Sequence, residues 1–140
     1  MNLTRRQALI TALSAAAVAG ILPRSASAQS LEDAMAAFTG GAEASEGGII
    51  ITAPEIAENG NTVPVEVEAE GAARITIFAA GNPNPGVVTF AFGPLAAVSR
   101  ASTRIRLAET QDVVVVAEMA DGSYQMAAQE VKVTIGGCGG

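Results

Sequence analysis

Cys138 is the only cysteine in the chain, and it stands in the closing run Gly136-Gly137-Cys138-Gly139-Gly140. A thiolate is the nucleophile and soft-metal ligand of protein chemistry, so this residue type in this setting points to covalent sulfur chemistry. Glycine has the widest backbone freedom, so Gly136 and Gly137 read as a hinge, while Gly139 and Gly140 keep the approach to the sulfur narrow. Five extended residues reach up to ~17 Å, enough to carry a sulfur into a narrow channel of another protein. A free thiol has a pKa of about 8.5 and is only a few per cent thiolate near neutrality. The nearby carboxylate of Gly140 disfavours the thiolate further. The arm is therefore not self-activating, and it reads as a carrier whose chemistry comes from partner proteins.

What is missing narrows the chemistry. Histidine is absent, which removes the commonest general base and transition-metal ligand, and with it Ser-His-Asp and Cys-His catalysis. Zinc is disfavoured with one thiol and no imidazole. No metal or cofactor site is expected. A thiol redox or copper-handling module stands as one alternative, with Met119 or Met126 joining Cys138 around Cu(I), although methionines inside strands usually pack a core. A structural binding sandwich that recruits partners through its sheet edges is another. The cysteine could also serve only to crosslink two copies, or have no use at all. Glu66, Glu68 and Glu70 alternate along one strand and read as a wet face with no role.

The first 28 residues form an export signal: a short polar start with Arg5 and Arg6, an apolar run from Ala8 to Leu22, and the triplet Ala26-Ser27-Ala28. Cleavage is expected after Ala28. The apolar run is shorter than the roughly 20 residues that span a bilayer. Thr4-Arg5-Arg6-Gln7-Ala8-Leu9 resembles a twin-arginine signal, with Ala8 where phenylalanine often stands, so the expected compartment is the periplasm. Loss of the leader leaves Arg74, Arg100, Arg104, Arg106 and Lys132 against fourteen acidic residues. Such an acidic chain lacks the basic surface that nucleic-acid binding requires.

The thiol must be presented by a domain without disulfides, and residues 29–135 suit a single one. Ser30 caps a predicted helix of about two turns that Gly40-Gly41 ends, with Asp33 as an imperfect capping-box partner. From Ile49 the pattern becomes short apolar runs separated by Gly, Pro, Asn and Asp. Strands are predicted near 49–52, 63–69, 74–79, 87–92, 99–107, 113–119 and 124–135. Val63, Val65, Val67 and Ala69 alternate with Pro64 and three glutamates, giving one buried and one wet face. Pro64 marks an edge or a strand start. Val113 to Val116 is the continuous run of a central strand covered on both faces. Arg104 and Arg106 point away from the face that Ala101, Thr103, Ile105 and Leu107 share, and Asp121-Gly122 supplies a hairpin turn. About seven antiparallel strands predict an all-β, immunoglobulin-like sandwich with a short N-terminal helix and a flexible arm at 136–140.

Val133-Thr134-Ile135-Gly136-Gly137-Cys138-Gly139-Gly140 resembles the terminus of the SoxY family, the sulfur carriers of thiosulfate oxidation. The likeness continues through Ala53-Pro54-Glu55-Ile56-Ala57-Glu58-Asn59-Gly60, Val63-Pro64-Val65, Asn82-Pro83-Asn84-Pro85 and Leu107-Ala108-Glu109-Thr110-Gln111. The resemblance implies a heterodimer with the sandwich protein SoxZ. It also implies that Cys138 is the attachment site for thiosulfate-derived groups, and that the chain is not a catalyst by itself. Partner enzymes would then dock in turn: a c-type cytochrome that conjugates thiosulfate, a hydrolase that releases sulfate and, in some organisms, a sulfane dehydrogenase.

Overall fold

The computed structural model describes residues 29–136 of the 140-residue chain. The leader, with Arg5, Arg6 and the expected cleavage point, lies outside the described residues, as do Gly137, Cys138, Gly139 and Gly140.

The chain enters through helix α1 (Leu31–Thr39). The Ser30 hydroxyl accepts a hydrogen bond from the Asp33 amide at 3.1 Å, and Glu32 and Asp33 sit in the first turn, where the helix dipole favours negative charge. Gly40 ends the helix in the left-handed region, φ 67°, which costs a residue without Cβ little. Nine strands follow: β1 (Ala44–Glu46), β2 (Ile50–Thr52), β3 (Ile56–Ala57), β4 (Val63–Glu68), β5 (Ala72–Ala79), β6 (Gly86–Ala91), β7 (Arg100–Ile105), β8 (Gln111–Met119) and β9 (Tyr124–Val133). They form one sheet in the order β1-β9-β8-β5-β6, with β3 also on β9, and a three-stranded sheet β2-β4-β7. All seven predicted strands are present, with ends shifted by one or two residues.

Period-two patterning places the core between the sheets. Val63, Val65 and Val67 of β4 face Ile75 and Ile77 of β5, Val113, Val115 and Ala117 of β8, and Val131 of β9, all buried in one cluster. The intervening valines of β8, Val114 and Val116, are buried on the opposite face with Phe78 and Ala34, against Leu31, Met35 and Phe38 of α1. The unbroken valine run is thus covered on both sides, as its composition predicts. Phe38 anchors the helix, with edge-on ring contacts to Phe78 at 6.4 Å and Tyr124 at 6.0 Å. The Arg74 guanidinium lies 4.9 Å over the Phe38 ring and is ion-paired with Glu118. Asp121-Gly122 makes the β8–β9 turn, where the Ser123 hydroxyl and then its amide donate to the Asp121 carboxylate and hold its carboxyl below the usual range.

Pro64 lies at a strand start, one of the two places expected for it, and one other expectation changes. Pro64 is the second residue of β4, but β4 is the middle strand of its sheet. The ring is tolerated because β2 stops short of it: the last β2 pair is Thr52 with Glu66. The sheets are also not wholly antiparallel, because β1 and β3 each pair parallel to β9. The glutamate face is wet, and also paired: Arg100 meets Glu68 at 2.6 Å, and the Ser102 hydroxyl donates to Glu66 at 2.9 Å. Hydrogen bonding to Glu68 keeps the Arg100 pKa above even its ordinary value. Exposed pairs of this kind add little stability.

Candidate functional site

The chain reaches its glycine-rich end from β9, and the last described residues are held from both sides. The Lys132 amide donates to the Glu55 carbonyl at 2.9 Å and the Thr134 amide to the Ala57 carbonyl at 3.1 Å, which continues the parallel β3 pairing. From the other side the Val133 amide donates to the Thr110 hydroxyl at 2.9 Å. The Thr134 hydroxyl donates to the Glu58 carbonyl at 3.1 Å. One residue on, the Ile135 carbonyl accepts from the Gly60 amide at 2.7 Å, and the Gly60 carbonyl accepts from the Leu107 amide at 2.7 Å. The strand therefore stays tethered past its last ladder pair, as far as Ile135.

Gly136 then passes close to the backbone of the β7–β8 loop. A Cβ on Gly136 would sit 2.3 Å from the Ala108 carbonyl oxygen, closer than real Cβ atoms approach any heavy atom. That loop is fixed by two buried amides. Asn82 (9 % exposed) donates through Nδ2 to the Arg106 carbonyl at 2.8 Å and accepts at Oδ1 from the Ala108 amide at 2.9 Å. Gln111 (7 % exposed) donates to the same Oδ1 at 3.0 Å and to the Glu109 carbonyl at 3.0 Å, and accepts from the Gly81 amide at 2.8 Å. Buried polar groups satisfied in this way are costly to disturb. Ile56 (57 % exposed) and Ile135 (66 % exposed) flank this end of the sandwich, among the exposed acids Glu55, Glu58 and Glu109.

Of the predicted site residues, only Gly136 lies within the described residues, and it is set against Ala108 with no room for a side chain. Gly137, Cys138, Gly139, Gly140, Arg5 and Arg6 lie outside them. The two methionines weighed as copper ligands face different cores: Met119 packs against the one between the sheets and Met126 against the one beneath α1. Among the described residues no group of three or more acidic, cysteine or histidine side chains could hold a metal, and no helix is long and apolar enough to cross a membrane.

Sequence reasoning missed Asn82, Gln111, Gly60, Ala108 and Thr110 as parts of one structure. The available signal was the set of segments 53–60, 82–85 and 107–111, far apart in sequence, which the fold gathers around the end of β9.

Compared with known proteins, the chain matches the family model described as "sulfur oxidation protein SoxY" over residues 35–138, a span that runs through the glycine-rich end to the cysteine. Among solved structures it is similar to the sulfur carrier protein SoxY from Chlorobium limicola f thiosulfatophilum, at 44% identity. That match covers 75% of this chain and 96% of that one, with a TM-score of 0.67. It is also similar to the superoxide reductase (neelaredoxin) from Ignicoccus hospitalis at 21% identity, covering 62% of this chain and 80% of that one, with a TM-score of 0.54. The second likeness is one of fold alone. Comparison with curated proteins returns no match.

Proposed function

We propose that this chain, which belongs to the SoxY family and serves as a carrier in sulfur oxidation, holds its cargo as a covalent adduct on Cys138. The observation that carries this reading is the family match extending to Cys138, at the end of a segment whose root is held from β3, Gly60 and the β7–β8 loop. Cys138 is the only thiol present. In the loading step its proton leaves, a disulfide-type bond forms to the sulfane sulfur of thiosulfate, and two electrons pass to a c-type cytochrome partner. A hydrolase then adds water across the sulfur–sulfonate bond, releasing sulfate and leaving a persulfide on the cysteine. Oxidation of that remaining sulfur falls to a sulfane dehydrogenase where one is present. This chain supplies the thiol and its presentation, and the partners supply base, oxidant and hydrolytic chemistry.

Intact mass provides the test. Protein recovered from cells oxidising thiosulfate is expected to carry added mass in steps of sulfur or sulfonate, removable by a thiol reductant and mapping to Cys138. Unmodified mass under turnover conditions would sink the reading.

The working compartment in this reading is the periplasm, supported by the leader and its adjacent Arg5 and Arg6. A twin-arginine route carries folded chains, which suits a protein that binds a second polypeptide before crossing. A SoxZ-like sandwich protein without its own signal is the proposed passenger. Changing Arg5 and Arg6 together to Lys is expected to leave both proteins in the cytoplasm, read by fractionation and immunoblotting. Partner protein reaching the periplasm beside a disabled leader would refute co-export and leave the carrier role standing.

A further inference from the structure

The glycines around Cys138 read from sequence as one flexible run, but Gly136 does not share the setting of a free linker. Its neighbour Ile135 is bonded to Gly60, and Gly136 itself lies where any Cβ would meet the Ala108 carbonyl at 2.3 Å. Such an approach is relieved only if one side yields. Ala108 resists, because its amide is held by the buried Oδ1 of Asn82, whose Nδ2 holds the Arg106 carbonyl on the same loop. Gln111 braces Asn82 in turn and ties the loop to Gly81.

We propose that Gly136 is the seat of the cargo-bearing tail and not part of its hinge, and that Asn82 is a positioning residue that acts on Cys138 through Ala108. This rests on the reading of Cys138 as the attachment site. With the root at Gly136, the Cα of Cys138 lies at most about 7 Å from a fixed point, against about 11 Å were the chain free from Ile135 onward. A partner must then come up to the end of the sandwich, and the direction in which the root points decides whether the sulfur enters its pocket. Gly136 takes this role for lack of bulk and Asn82 for its paired donor and acceptor. In this reading neither residue acts on the sulfur directly, so the reactivity of the thiol itself is expected to stay as it is.

The test uses the full exported chain, whose single cysteine accepts a nitroxide label at Cys138 with no other change. Three variants are compared with the parent: Gly136→Ala, Asn82→Ala, and Gly122→Ala as a control in the turn at the far end of β9, where φ is 86°. The expected result is a narrowed, more mobile label spectrum for Gly136→Ala and Asn82→Ala, with the control unchanged. In unlabelled samples, kcat/KM for loading of Cys138 by the conjugating partner is expected to fall about tenfold to a hundredfold in the same two variants, as misplacement of a reacting group does. Their rate with a small aromatic disulfide reagent stays at the parent value. Should Asn82→Ala fail to fold, Gly136→Ala alone decides, since it removes no buried hydrogen-bonding group. Spectra that match the parent in Gly136→Ala would overturn the seat, and altered spectra with parent-like loading would overturn the positioning role. Loading that persists in Cys138→Ser defeats the attachment reading instead, while the label spectra still report on the seat.

Discussion

Cys138→Ser is expected to abolish sulfur loading completely while leaving the melting temperature where it was. Exchanging Sγ for a hydroxyl oxygen removes the polarizable nucleophile, and an alcohol neither ionises near neutrality nor forms a stable bond to sulfane sulfur. The chain has no second cysteine and no histidine to take over. Stability is spared because both buried clusters are assembled from residues between Ala34 and Val131. Substitutions away from such clusters stay within about 0.5 kcal/mol. Incubation with thiosulfate and the conjugating partner, followed by intact mass, checks the first half; thermal denaturation checks the second. Adduct formation on the serine variant would place the attachment elsewhere.

Phe78→Ala is expected to have the largest effect on the fold, destabilising it by about 3–5 kcal/mol, the usual cost of removing a buried aromatic ring. Phe78 is 2% exposed and lies among Ala34, Val114 and Val116, where it also makes the edge contact that holds Phe38. Its loss opens a cavity and unseats α1 together. For a domain of this size each kcal/mol moves the melting temperature by roughly 4–8 °C, so a fall on the order of 15–30 °C is expected. The ring points toward the helix, while Gly136 and its supports sit at the end of β9. Loading of Cys138 well below the new midpoint is therefore expected to survive. A loss under about 1 kcal/mol would show that the helix does not depend on this ring.

Much of the fold was legible because local pattern and tertiary environment agree. The alternation through Val63, Val65 and Val67 is what a two-faced strand requires, and the valines of β8 are continuous because that strand lies between the opposite sheet and a helix. Ser30 and Gly40 bound α1 by local chemistry alone. β1 and β3 were illegible for the converse reason. They have three and two residues, too short for a period, and exist because β9 offers them an open edge far along the chain. Pro64 was ambiguous, since a missing amide serves equally at an edge or past the end of a shorter neighbour.

The site divides in the same way. That a lone thiol between glycines is the candidate for the chemistry follows from residue types, and no geometry is needed to single out Cys138. Whether a given glycine is free or wedged does not follow, because absence of a side chain serves both freedom and close approach. Only the close pass beside Ala108, where a Cβ would lie 2.3 Å from the carbonyl oxygen, decides this for Gly136. Asn82, inside Asn-Pro-Asn-Pro, reads as a turn-former, and its buried amide acts on a loop more than twenty residues away.

The placement of β9 has a mechanical consequence. β8 pairs with it from Tyr124 to Val131, β1 holds the other edge at its start, and β3 holds that edge at its end. On the proposed function, a partner withdrawing with the tail in its pocket would pull on β9 along its own axis. Ladder hydrogen bonds lie across that axis, so the load is spread over many of them at once and none is peeled open singly. An edge strand carrying the same tail would unzip from one end, bond by bond. On the proposed function, a tail set on an interior strand is expected to let the partner's grip yield first and leave the domain folded.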